Sequence, residues 1–219
     1  MIKIKNVQKD FMLDKSKQTV LQDINLEIKD GEFVSLLGKS GSGKSTLLYI
    51  ASTLDKPSSG EIFYGDKNIL TLTTEELFEL RNSSIGFIFQ FHYLLPDLTA
   101  LENILMPTRK HKNNNSKEKK AYELLGEFGL LKEKDKKPRQ MSGGQCQRVA
   151  IARALINDPK YLFADEPTGS LDSQNGELVI KSFENINKQL GTTIVLVTHD
   201  KEFAQRSDRQ IILTDGKIL

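Results

Sequence analysis

The 219-residue sequence predicts an α/β fold organised around a largely parallel sheet. Three observations predict it. Short and almost unbroken apolar runs recur at 33–37 (FVSLL), 161–164 (YLFA) and 193–197 (TIVLV), the composition of strands buried on both faces. Segments of helical period separate them, with Val179, Phe183, Ile186 and Leu190 at i, i+4, i+7 and i+11 on one face. Residues 38–45 read GKSGSGKS directly after the first apolar run and before a helical stretch. Strands that alternate with helices imply crossovers between parallel neighbours.

Each element follows in order. Ile24, Leu26 and Ile28 alternate with polar residues, as in a strand with one wet face. Residues 33–37 are a buried strand and 45–54 a helix, closed by the turn residues DKPSSG at 55–60. Strands are expected at 61–64 and 85–89, around a short helix near 75–81. The middle differs: 99–106 and 117–128 read as helices, joined by a polar connection at 107–115. After Gly143-Gly144, CQRVAIARALI forms a helix with a wide apolar face. Roughly 91–158 is therefore a helical insertion. A strand at 161–164, a helix through 179–190, a strand at 193–197 and a hairpin-type turn at Asp215-Gly216 complete the chain. There is no internal repeat.

Composition narrows the classes. With 38% hydrophobic residues and 31 Lys+Arg against 29 Asp+Glu, the chain is too apolar and too balanced for disorder. One cysteine excludes a disulfide scaffold and fits a reducing compartment. No apolar run approaches the roughly 20 residues of a membrane span, and the N-terminus lacks the apolar core of a secretory signal. A net charge of +2 gives no global field for nucleic acid, so no nucleic-acid partner is expected. Residues 96–140 carry 11 Lys/Arg against 7 Asp/Glu, a solvated lysine-rich helical surface or a lobe near anionic headgroups.

The segment Gly38, Lys39, Ser40, Gly41, Ser42, Gly43, Lys44, Ser45 fits the phosphate-binding pattern G-x-x-x-x-G-K-[ST]. Its glycines let consecutive N–H groups turn toward one anion, and the helix that follows adds its positive end. Lys44 reaches the β- and γ-phosphates, and the Ser45 hydroxyl binds Mg²⁺. Average composition yields this pattern by chance in about 1% of chains of this length. ATP or GTP binding is expected, with Thr46 beside the loop. Asp165 and Glu166 end a buried strand, where Asp165 can hold Mg²⁺ through water and Glu166 can deprotonate an attacking water. Paired acids at strand ends are common on surfaces, so this pair gains its meaning from the phosphate loop.

Met141-Ser142-Gly143-Gly144-Gln145, followed by Gln147 to Ala154, resembles the signature of ATP-binding cassette (ABC) ATPases. Gln90 in FIFQ, Ser170-Leu171-Asp172 in GSLD and His199 in LVTHD occupy the family's glutamine, Asp-loop and switch-histidine places in the same order. The likeness covers essentially the whole chain. It implies a P-loop NTPase (RecA-like) parallel-sheet core with an N-terminal antiparallel β subdomain and an inserted helical subdomain. One ABC ATPase domain would then span 1–219, with 1–90 and 159–219 as core and β subdomain and about 91–158 as the helical part.

The resemblance also implies roles. Glu166 is the base, His199 bonds the γ-phosphate and Gln90 bridges Mg²⁺ and the attacking water. Ser45, Gln90 and Asp165 would hold the Mg²⁺, and Phe11 would stack on adenine in place of the usual Tyr. ATP bound to residues 38–46 of one subunit would be capped by Ser142, Gly143, Gly144 and Gln145 of another, with Asp172 serving communication across a homodimer. Taken alone, Gly143-Gly144 also fits an ordinary turn before a helix, His199 a surface or packing residue, and Phe11 a core residue. Cys146 stands at a helix start where a thiol pKa can fall, but a plain small helix residue with no redox role is the favoured reading. Ser170 stands where Asn is usual, and Lys39 adds charge inside the loop.

With one cassette and no span, the motor needs integral membrane permease subunits, which would bring it to the cytoplasmic face of an inner membrane. The stretch Phe91-His92-Tyr93-Leu94-Leu95-Pro96 with Thr99-Ala100-Leu101-Glu102-Asn103-Ile104 resembles the lipoprotein-releasing branch, with macrolide-export and cell-division branches sharing parts of it. Phe91, Tyr93, Leu94 and Leu95 would touch the permease or form the lobe's own core. A soluble DNA-repair or translation ATPase would carry a coiled-coil insertion or a second cassette, and neither is present here.

Overall fold

The computed structural model describes residues 1–13, 16–109, 115–169 and 171–219. Expectations for the polar connection at 110–114 and for Ser170 lie outside the described residues.

In chain order the elements are β1 (Ile2–Leu13), β2 (Ser16–Ile28), β3 (Phe33–Leu37), α1 (Lys44–Ala51), β4 (Ser59–Tyr64), β5 (Lys67–Asn68), α2 (Thr74–Ser84) and β6 (Ile85–Ile88). There follow α3 (Ala100–Leu105), α4 (Asn115–Glu127), α5 (Gly143–Leu155), β7 (Tyr161–Asp165), α6 (Ser173–Leu190), β8 (Thr193–Val197), α7 (Lys201–Ala204), β9 (Arg209–Thr214) and β10 (Lys217–Ile218). One sheet is antiparallel, in the order β2-β1-β4-β5. The other runs β10-β9-β3-β8-β7-β6 and is parallel throughout except for the β9–β10 hairpin. Helices α3 to α5 lie in the chain between β6 and β7. The α/β fold with a parallel core and an N-terminal antiparallel sheet is thus present.

The buried strands have two apolar faces because each faces a different layer. Ile194 and Leu196 of β8 join a core with Ile88, Ile104, Leu125, Val149 and Phe183, which ties α3 to α6 onto one face of the parallel sheet. Val195 and Val197, one residue out of phase, join Leu36, Leu47, Ile62 and Phe163 on the other face, against α1 and the antiparallel sheet. Each such fully buried side chain contributes about 1.5–3 kcal/mol. Asp30 binds the two sheets together: it pairs with Lys160 at 2.8 Å and accepts from the Tyr161 hydroxyl at 3.1 Å, and the Met1 ammonium donates to it as well.

Two elements escape sequence periodicity. β1 buries Ile2, Ile4 and Val7, an alternation broken where register shifts fall between Ile4 and Val7 and where Asn6 takes φ 49°. A bulge of this kind moves later side chains to the opposite phase. α7 is a single turn, fixed by Asp200, whose side chain accepts from the N–H groups of Glu202 and Phe203. α6 starts six residues ahead of Val179, its first buried apolar side chain, because Asp172 caps it.

Candidate functional site

The parallel strands β3, β7 and β8 end on one edge, and the chain leaves each of them carrying a group with chemical potential. Ligands of open α/β sheets bind outside the carboxyl ends of strands. A cavity of about 560 Å³ opens there, lined by Val20, Gly38, Ser40, Gly41, Gly43, Lys44, Ser45, Thr46, Gln90, Glu166 and His199.

The loop after β3 takes its shape from its glycines. Gly38, Gly41 and Gly43 all have positive φ. At Gly43, with φ 99°, a Cβ would also lie 2.8 Å from Leu21 Cδ2 and 3.1 Å from the Val20 carbonyl oxygen, so glycine is required there twice over. Lys44 is buried and folds back to donate to the carbonyls of Gly38 (3.0 Å) and Lys39 (2.9 Å), spanning the loop. Ser42 is buried with its Oγ unpartnered and Lys39 is exposed; neither lines the cavity.

Opposite the loop, Ser45 Oγ donates to Asp165 Oδ1 at 2.9 Å, and Asp165 is almost wholly buried. The chain then turns sharply: Glu166 has φ 46° and its N–H donates to the Val197 carbonyl. Left-handed backbone at a residue other than glycine costs roughly 1–3 kcal/mol. Here it points the Glu166 carboxylate at His199, whose Nδ1 lies 2.7 Å from Oε2. Tyr49 of α1 was not singled out by sequence. Burial and the adjacent Asp165 carboxylate push its hydroxyl up to about 12. Its ring begins a run of aromatic contacts, Tyr49–Phe87 (5.8 Å), Phe87–Phe89 (4.3 Å) and Phe89–Tyr93 (5.1 Å), that leads to the segment after Gln90. Val20 is the one lining residue that motif reading passed over, since a lone strand valine carries no motif.

Other expected residues lie elsewhere. Ser142 caps α5 in a reciprocal box: Gln145 N–H donates to its Oγ at 3.2 Å, and its own N–H donates to Gln145 Oε1 at 2.9 Å. None of Ser142, Gly143, Gly144 and Gln145 lines the cavity. Asp172 lines a second cavity of about 360 Å³ on the far side of His199. Phe11 is 40% exposed on β1, has the Lys9 ammonium 4.9 Å from its ring centroid and does not reach the cavity wall. Burial raises the pKa of the Cys146 thiol, in keeping with a plain small helix residue, and Sγ lies 3.5 Å from the Pro138 carbonyl. Residues 91–95 divide by alternation. Phe91 and Tyr93 are 59% and 64% exposed with Leu95 also outward, whereas Leu94 packs against the core; Arg153 holds the segment by donating to the carbonyls of His92 and Tyr93.

The donor set suits a hard divalent cation. Ser45 and Asp165 offer neighbouring oxygens and Gln90 an amide, all beside a phosphate loop, the all-oxygen chemistry of Mg²⁺. Among the described residues no cluster of three His, Cys, Asp or Glu competes as a metal site. Buried strand-end acid, phosphate loop and a carboxylate–imidazole pair define a P-loop nucleotide-binding enzyme.

Known proteins take the assignment further. Residues 21–169 match the family model described as ABC transporter. The chain belongs to this family as an ATP-binding cassette, and it is an ATPase. It is 50% identical over 218 residues to the lipoprotein-releasing system ATP-binding protein LolD of Leptospira interrogans, covering 100% of this chain and 90% of the relative. It is 44% identical over 222 residues to the macrolide export ATP-binding/permease protein MacB of Syntrophobacter fumaroxidans, covering 100% of this chain but 31% of the relative. Among solved structures, the dimeric cassette MJ0796, a protein of Methanocaldococcus jannaschii, superposes with a TM-score of 0.93 at 44% identity, covering 100% of this chain and 96% of that one. A second structure of MJ0796, dimeric and bound to ADP and Pi in a post-hydrolysis state, gives 0.92 at 43% identity, covering 100% of this chain and 96% of that one.

Proposed function

We propose that this cassette is the motor subunit of a membrane ABC complex that releases lipoproteins from an inner membrane for transfer to the outer membrane. It acts as a homodimer with integral permease subunits of the LolC/LolE kind, peripheral on the cytoplasmic face, and touches the membrane through those partners. One observation carries the motor reading: the phosphate loop, the Ser45–Asp165 pair and the Glu166–His199 pair share one cavity, while Ser142–Gln145 cap a helix outside it. A second copy would bring its Ser142, Gly143 and Gly144 to the nucleotide. The lipoprotein cargo is supported by the LolD relatives. The match to MacB favours a macrolide-export-type subunit as the second reading, and a cell-division-type subunit is its companion.

In this reading residues 91–158 form the helical lobe of one domain. Gly38–Thr46 bind the triphosphate, with Lys44 released from the loop carbonyls to reach the phosphates. Ser45, Gln90 and Asp165 would hold Mg²⁺, which when bound neutralises charge on the β- and γ-phosphates. Glu166 accepts a proton from the water that attacks the γ-phosphorus; ADP departs and phosphate is freed. His199 keeps the Glu166 carboxylate in place and donates toward the γ-phosphate. Phe11 is offered to adenine.

Glu166→Gln removes the proton acceptor and leaves the binding loop intact. Hydrolysis should fall at least 100-fold while saturating Mg-ATP gathers the variant into a dimer on size exclusion. A variant that remained monomeric would sink the two-copy site. Detergent co-purification from the native membrane separates the branches. Two related permeases with large periplasmic domains support lipoprotein release, whereas a single permease with an adaptor or wall hydrolase supports the second reading.

A further inference from the structure

The two glycines of the signature stretch stand in different surroundings. A Cβ on the exposed Gly143 would meet nothing within 4 Å, whereas on the buried Gly144 it would lie 2.7 Å from Asn175 Oδ1 and 2.8 Å from its Cγ. Neither has positive φ, so backbone conformation does not demand glycine at either place. Asn175 is not free to swing aside. Its Nδ2 donates to Asp172 Oδ2 at 2.7 Å and its backbone N–H to Asp172 Oδ1 at 2.8 Å, within the first turn of α6. The amide therefore lies between the start of α5 and the cap of α6. Helices that begin side by side bring their positive ends together, and the Asp172 carboxylate offsets that repulsion.

We propose that Asn175 is a positioning residue that fastens the Ser142–Gly144 turn to Asp172 within one chain, so that both surfaces assigned to the partner cassette are presented as a single rigid unit. The missing side chain of Gly144 is what admits the Asn175 amide, while Gly143 is left open for a ligand from outside the chain. This rests on the two-copy reading above and adds the side chain that sets the spacing.

Thermal unfolding of the nucleotide-free chain tests the contact in four versions: parent, Gly144→Ala, Asn175→Ala and the pair. Gly144→Ala should lower Tm by about 5 °C, the scale of a modest overpacking, and adding Asn175→Ala should return most of that loss. Additive shifts would overturn the contact. Function is read in the Glu166→Gln background. Asn175→Ala should leave ATP binding by the monomer unchanged and raise the protein concentration for half-dimerisation about tenfold, roughly 1.4 kcal/mol. Asn175→Asp keeps the bulk beside Gly144 but sets a second carboxylate against Asp172, and should do at least as much. Dimerisation equal to the Glu166→Gln parent in both variants would defeat the proposal. A parent that stays monomeric condemns the two-copy reading instead, and the melting cycle still decides the Asn175–Gly144 contact.

Discussion

Gly43 and Glu166 both hold left-handed backbone at the cavity, for different reasons. At Gly43 the turn brings the chain against Leu21 and Val20, and no side chain fits. Gly43→Ala should cut ATP affinity more than tenfold in a fluorescent-nucleotide titration, since strain of about 1–2 kcal/mol is added to a steric collision. Parent-like affinity would show that the loop tolerates another path. Glu166 instead keeps its strained turn because the carboxylate must reach back toward His199 on the neighbouring strand end. Motif spacing identified both residues, but not that Glu166 is strained. Nor did it single out Tyr49 beside Asp165, because a tyrosine inside a helix carries no signature.

Among elements, the junction between the two sheets is the one most exposed to pH. Burial opposes ionisation of Asp30, but Lys160, the Met1 ammonium and Tyr161 outweigh it and hold the carboxyl at about 2 against an ordinary 3.8. A depressed carboxyl stabilises the fold above its unfolded pKa, and that contribution is lost as pH falls from about 4 toward 2. Asp30→Asn should therefore lower the urea midpoint at pH 7, with the gap from parent closing by pH 2. An equal gap at both pH values would mean that the ion pairs contribute nothing. The helices after β6 were legible from their period, and Thr73, Thr99 and Ser142 cap their elements with reciprocal boxes. β1 was not, because its bulges break the alternation that identifies a strand.

For the whole molecule, the outward side chains of the 91–95 segment matter most. Phe91 and Tyr93 face solvent on a backbone anchored by Arg153, and through Phe89, Phe87 and Tyr49 the segment adjoins Asp165. Replacing Phe91 and Tyr93 with Ser should reduce permease recovery in detergent co-purification several-fold and leave nucleotide binding by the isolated chain intact, because neither side chain lines the cavity. Undiminished recovery would place the permease contact elsewhere. Among the described residues no helix is long and apolar enough to cross a membrane.

By itself the sequence determined the parallel α/β core, because strands apolar on both faces and helices of fixed period leave few ways to bury them. It also singled out every residue that lines the cavity except Val20, through the spacing of the phosphate loop, the acids at a strand end and the resemblance that supplied Gln90 and His199. Tertiary structure alone decided which apolar residues of 91–95 are outward, that the Cys146 thiol is buried and raised, and that Phe11 stands off the cavity wall beside Lys9. It alone set Asn175 against Gly144, 31 positions away in the chain. Local pattern reports what a segment can bury; which neighbour buries it depends on contacts between distant segments, and those exist only once the chain has folded.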